Sequence, residues 1–214
     1  MSFGLHHALR EVRELKRHIL TKQRFKGYSG RARALGGCTA LAAALAIHRG
    51  YAPADLASLL VAWGIVLAVS LVLNYGALVY WFLYDEEVGR DWQSLKPALE
   101  VVPAFAVGAV ASFACIRMGA VALLPGLWMC LYGLGNLASR HVLPRKISWV
   151  GAWYIAAGAV CLLWPQWAWS QPLVMGSVFF IGEWLGGLVL HYDEAEGRTI
   201  WSFFGLPNLS QSYE

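Results

Sequence analysis

Glu183 is the residue of this chain whose type and position carry the most chemistry. It stands near the middle of Phe179-Phe180-Ile181-Gly182-Glu183-Trp184-Leu185-Gly186, inside an apolar run. A carboxylate near a bilayer centre is disfavoured by about 2.5–3.5 kcal/mol on insertion scales, so such a residue is a functional-site candidate by default. Two uses fit it: a proton- or cation-responsive site, or a contact joining helices through Asn136, Asn74 or a tyrosine. A proton path needs more than one buried ionisable group, which favours the structural use. Asn74 and Asn136 are expected to make interhelical hydrogen bonds, a common role of amides in membranes. Glu100, one turn inside an apolar run, is expected to snorkel to the interface, and Arg117 to reach headgroups.

Other constellations fall away. His7 with Glu11, and Glu14 with His18, are one helical turn apart, but a di-metal bundle needs such pairs converging from several helices. Gly133-Leu134-Gly135 has no strand before it and is no phosphate loop. Neither a G-x-S-x-G elbow nor an H-E-x-x-H pair occurs. His48, His141 and His191 sit at the ends of apolar runs rather than at matching depth for haem. Cys38, Cys115, Cys130 and Cys161 all lie in apolar runs without a C-x-x-C, so they read as packing residues. Leu35-Gly36-Gly37-Cys38 imitates a lipoprotein cleavage site, but its apolar run follows the cysteine instead of preceding it. No catalytic motif, metal or cofactor is expected.

The elements that must position Glu183 are membrane helices. Of the 214 residues, 58% are hydrophobic and 14% charged, against about 25% charged in soluble domains; the mean hydropathy is +0.50. The expected fold is an all-α polytopic bundle of six transmembrane helices. Its spans are about Arg33–His48, Asp55–Tyr84, Pro97–Ile116, Ala120–Ser139, Ile147–Leu163 and Pro172–Leu190. The first, at about 24 Å, is short for a hydrocarbon layer of about 30 Å, and snorkelling by Arg33 and Arg49 is expected to compensate. Trp164 to Trp169 reads as a tight aromatic turn, and Trp201, Phe203 and Phe204 as resting on the interface.

Residues 1–30 read as a cytoplasmic or interfacial amphipathic helix. Leu5, Ala8, Leu9, Val12, Leu15 and Ile19 form one apolar stripe. Arg10, Arg13, Lys16, Arg17, Lys22, Arg24, Lys26, Arg31 and Arg33 form a basic block that suits anionic lipid headgroups rather than nucleic acid. Residues 31–192 would form the transmembrane domain and 193–214 a cytoplasmic tail. With the N-terminus inside, every Lys and Arg but Arg49 and Arg117 is cytoplasmic, as the positive-inside rule demands. Both termini are then cytoplasmic, and a bacterial inner membrane is the expected location. Gly126–His141 and Gly176–His191 echo each other weakly. Small residues four apart (Gly182 with Gly186, Gly135 with Ser139, Ala152 with Ala156, Ser70 with Asn74) point to close helix packing.

These features favour a non-enzymatic accessory, scaffold or regulatory subunit with a membrane or cytoplasmic protein partner. A small channel or transporter with Glu183 in a polar path is the alternative. A lipid-processing enzyme using His141, His191 and Asp193 ranks third.

Overall fold

A computed structural model describes residues 27–51, 55–84, 95–99, 101–141, 143–194 and 199–205. The expected N-terminal amphipathic helix, with the basic residues from Arg10 to Lys26, lies outside them, as does Glu100. The described residues are helical and contain no strand. Six long helices run in order: α1 Gly30–His48, α2 Leu56–Tyr84, α3 Val102–Arg117, α4 Leu124–Ala138, α5 Ile147–Leu163 and α6 Pro172–Glu194.

Three stretches are long and apolar enough to cross a membrane: Leu56–Tyr84, Val121–His141 and Pro172–Asp193. Val102–Arg117 and Ile147–Leu163 are apolar but shorter. The outward faces agree with such a setting. Of the 29 residues of α2 only Trp63, Leu78 and Phe82 are buried, and α3 buries none. Val61, Ile65, Val72, Val110 and Phe113 are all exposed. A helix that is apolar all round and unburied by its own chain is at home in lipid.

Helix ends follow local chemistry, and several differ from expectation. α1 begins at Gly30, because the Ser29 side chain accepts from Ala32 N at 3.3 Å and caps the first turn. Its 19 residues therefore reach about 28 Å rather than 24 Å. The expected third span does not run on from Pro97. A single turn, Lys96–Leu99, precedes α3, and Pro103 sits in the first turn of the new helix, where its missing N–H costs nothing. α6 continues past Leu190 to Glu194, and the aromatic turn is a short helix, Pro165–Ser170. α1 and α3 close alike, with Gly50 and Gly119 at φ +77° and +70°. The next amides, of Tyr51 and Ala120, bond Ala46 O and Cys115 O at 3.0 and 2.8 Å. That left-handed closure favours glycine at both places.

Two antiparallel seams organise the bundle. In α1/α6, Gly30 lies against the Gly187 backbone, Gly37 against Phe180 and Glu183, and Ala44 against Gly176. In α4/α5, Gly126 meets Gly158 and Gly133 meets Gly151, backbone to backbone. A Cβ at any of the four α4/α5 glycines would stand 2.7–2.9 Å from the facing carbonyl oxygen. The α4/α5 contacts recur at seven residues, two helical turns. Those of α1 at Gly30, Gly37 and Ala44 do the same, with Ala34 and Ala40 facing α6 at spacing four from Gly30 and Ala44. Of the expected spacing-four pairs, Ala152 and Ala156 are exposed, and Ser139 donates to Gly135 O within its own helix at 3.1 Å. Gly182 and Gly186 serve neither seam's backbone contact but a buried side-chain cluster around Glu183.

Candidate functional site

Four helices converge on one buried polar cluster. Arg33 enters from the first turn of α1, Asn136 and Tyr132 from α4, Tyr154 from α5 and Glu183 from α6. Arg33 Nη2 donates to Asn136 Oδ1 at 2.7 Å and to Glu183 Oε1 at 3.2 Å. Arg33 Nε stands 3.0 Å from Glu183 Oε2, a charge contact that lies off the N–H direction and leaves that hydrogen without an acceptor. Tyr154 donates its hydroxyl to Glu183 Oε1 at 2.8 Å. Arg33 also lies 5.9 Å over the Tyr132 ring, within reach of a cation–π contact.

Each partner is also held by contacts of its own. Asn136 Nδ2 donates to Tyr132 O, one turn back on its own helix, at 2.9 Å, which turns Oδ1 towards Arg33. Tyr154, Tyr132 and Phe179 form a triangle of rings with centroids 4.9–5.6 Å apart. The two glycines flanking Glu183 make the room. A side chain at Gly186 would strike the Arg33 guanidinium, and one at Gly182 the Tyr154 ring. The sequence Gly-Glu-x-x-Gly on α6 is thus a carboxylate with an arginine slot on one side and a tyrosine slot on the other.

Beside the cluster lies an apolar chamber of about 400 Å³ between α1, α2, α3, α4 and α6. Trp63, Leu67, Phe105, Leu131 and Met175 form much of its wall, with Ser70, Asn74, Tyr132 and Glu183 gathered at one side. Towards its other end Trp128 donates to Ser112 Oγ at 2.7 Å, and Ser112 donates to Gly108 O at 2.6 Å. Beyond the cluster, His191 is buried with Nε2 2.9 Å from Ser202 Oγ, and Arg31 donates to Ser202 O at 2.6 Å. Those contacts seat the short helix Ile200–Phe203 on the ends of α1 and α6.

The structure brings Glu183 and Asn136 together through Arg33. Asn74 bonds Ser70 O in its own helix at 2.9 Å and faces the chamber instead of pairing with Glu183. Arg33 corrects an expectation: it is buried at 7% exposure rather than snorkelling to headgroups, because Glu183 and Asn136 engage its guanidinium inside the bundle. Phe203 is a second correction, buried against His191 and Trp184, whereas Trp201 and Phe204 are exposed. Arg33 and Tyr154 are the members that sequence reasoning misses. Glycines on both flanks of a lone intramembrane carboxylate are the signal that two large side chains approach it there. Among the described residues no three His, Cys, Asp or Glu side chains converge as a metal site would need. No family model, curated protein or solved structure matches the chain.

Proposed function

We propose that the chain is a six-span membrane protein that acts through helix packing and its cytoplasmic face, as an accessory, scaffold or regulatory subunit. The observation that carries this reading is that the buried charges of the cluster are engaged with each other. Arg33 neutralises Glu183, Asn136 and Tyr154 occupy further positions on the pair, and the assembly ties the α1/α6 seam to the α4/α5 seam. That is the geometry of a lock that fixes which helices are neighbours. Six spans place the beginning of α1 and the end of α6 on one side. Contact of Gly30 with Gly187, and of Arg31 with Ser202, supports that placement. Positive-inside counting then makes that side cytoplasmic, and the inner membrane of a bacterium is the location proposed.

One observation favours a second reading, a small transporter: the chamber reaches Glu183. Reconstitution separates the two. Under the lock reading, liposomes holding the wild-type chain pass protons and small cations no faster than empty ones, and Glu183→Gln lowers thermal stability. Flux that is present in the wild type and abolished by Glu183→Gln would overturn the lock. Cysteine accessibility at Glu214 from the periplasmic side would overturn the six-span topology.

A further inference from the structure

We propose that the chamber is a binding site for an uncharged, single-chain amphiphile of the long-chain alcohol class, which enters sideways between α2 and α3 and donates its hydroxyl hydrogen to Glu183. Three observations combine in this.

The entrance comes first. α2 packs on α1 and α3 packs on α4, with little contact between α2 and α3 themselves. Gly64, Leu67 and Ala109 line the chamber and are also exposed, so the gap opens beside the middle of α3 and about two to three turns into α2, within the apolar stretches of both helices. A volume of about 400 Å³ falls within the range of small-molecule sites. It accommodates one hydrocarbon chain and is too narrow for a two-tailed phospholipid.

The polar side comes second. Glu183 is 5% exposed and lines the chamber, as Ser70 and Asn74 do. Its Oε1 accepts from both Tyr154 and Arg33, the Tyr132 hydroxyl also lies within hydrogen-bonding reach of the carboxylate, and Oε2 faces the off-line Arg33 Nε. A carboxylate oxygen has two acceptor positions, so Oε2 retains capacity for a donor. At the other end Ser112 is already engaged as donor and acceptor, so a head group has nothing comparable there.

Charge decides the class of head group. Arg33 and Glu183 sum to zero. A carboxylate or ammonium head would add an uncompensated charge in a medium that disfavours it strongly. A hydroxyl brings a donor and no charge.

The test uses the full-length protein in phosphatidylcholine liposomes with a diazirine-bearing hexadecanol as photoprobe, and crosslinks are mapped by peptide mass spectrometry. The expected result is saturable labelling of α2 and α3 around Gly64 and Ala109. Unlabelled hexadecanol competes, while palmitate and hexadecylamine compete at least about tenfold less well, the factor that corresponds to about 1.4 kcal/mol. Gly64→Trp should reduce labelling by a similar factor; a Cβ at that position meets nothing within 4 Å, so no neighbour opposes a side chain at its base. Ala109→Trp, on the facing wall, repeats the test from the other side. Labelling that never saturates, or that survives in both tryptophan variants, would show ordinary bilayer hydrocarbon only and overturn the site. Equal competition by palmitate or hexadecylamine would overturn the head-group assignment.

Discussion

The two seams are built on the same rule and differ in what they admit. Both bring antiparallel helices together on small residues seven apart, Gly30, Gly37 and Ala44 in one, Gly126 with Gly133 and Gly151 with Gly158 in the other. The α4/α5 seam is apolar along its contact, with Cys130 packed at Gly158 and Cys161 beside Met129. The α1/α6 seam carries an arginine and a glutamate. Lipid tails are as apolar as leucine, so neither seam gains a hydrophobic driving force from helix contact, and close packing must supply the attraction. The dry seam needs only that. The charged seam adds a requirement that its partners be the right ones, because Arg33 Nη2 bonds α4 and α6 together. On the lock reading, packing makes pairs of helices and the buried charges decide how the pairs are joined.

The sharpest way to break that distinction is to remove one charge. Arg33→Met leaves Glu183 buried without its cation, and loss of one partner of a buried pair costs about 3–5 kcal/mol. Thermal unfolding in mild detergent, followed by size exclusion, should show a larger loss than Gly158→Ala, Tyr154→Phe or Asp55→Ala produces. Arg33→Met with Glu183→Leu should recover much of it, since apolar replacement of both partners is often neutral. A double variant as unstable as the single one would mean that the pair contributes net stability and is no mere selector of neighbours.

The dry seam breaks by volume instead. Gly158→Ala places a methyl 2.6 Å from Cys130 Sγ and 2.8 Å from Gly126 O. Overpacking of this kind costs about 1–3 kcal/mol. Cys130→Ala on the same chain should relieve only part of it, because the carbonyl remains. Full relief would show that the seam is set by side chains and not by backbone approach.

Tyr154→Phe probes the joint between the seams. It removes the hydroxyl on Glu183 while keeping the ring against Tyr132 and Phe179. Interhelical hydrogen bonds in membranes contribute about 0.6 kcal/mol on average and up to about 1.7. The expected loss is of that size, and it should vanish in the Arg33→Met, Glu183→Leu background. A loss that persists there would assign it to the hydroxyl's contact with Phe179 O at 3.3 Å rather than to the carboxylate.

Much of the helical framework is legible in the sequence because it rests on runs of apolar residues, and the fifth helix, Ile147–Leu163, falls where its run predicts. Helix starts are less legible. Ser29 reads as part of a glycine-rich break until the amide it caps is known, and Pro103 splits a run that is apolar throughout. Within the site, Glu183 announces itself by the cost of burying it. Arg33 does not, since a basic residue at the end of a basic block has an ordinary home at the headgroups. Its burial depends on Gly186 lying opposite, a matter of register between helices 150 residues apart in sequence. Hydropathy and spacing carry no such register.

The smallest effect belongs to a cap outside both seams and serves as their reference. Asp55 precedes α2 and accepts from Ser58 N at 3.0 Å. Hydrogen bonding from Ser58, side chain and then backbone, holds the Asp55 carboxyl below its ordinary value. A carboxyl depressed in the folded state stabilises it above the unfolded pKa of about 3.9, and that contribution is lost as pH falls through the lower folded value. Asp55→Ala should therefore unfold slightly earlier than the wild type at pH 7, with the two melting curves converging below about pH 4. Because the cap is fully exposed and α2 belongs to neither seam, the shift at pH 7 should be smaller than that of Tyr154→Phe. If instead Asp55→Ala matches Arg33→Met, loss of stability is not localised to the seams. The contrast between a packed pair and a charged pair would then not be what holds this bundle together.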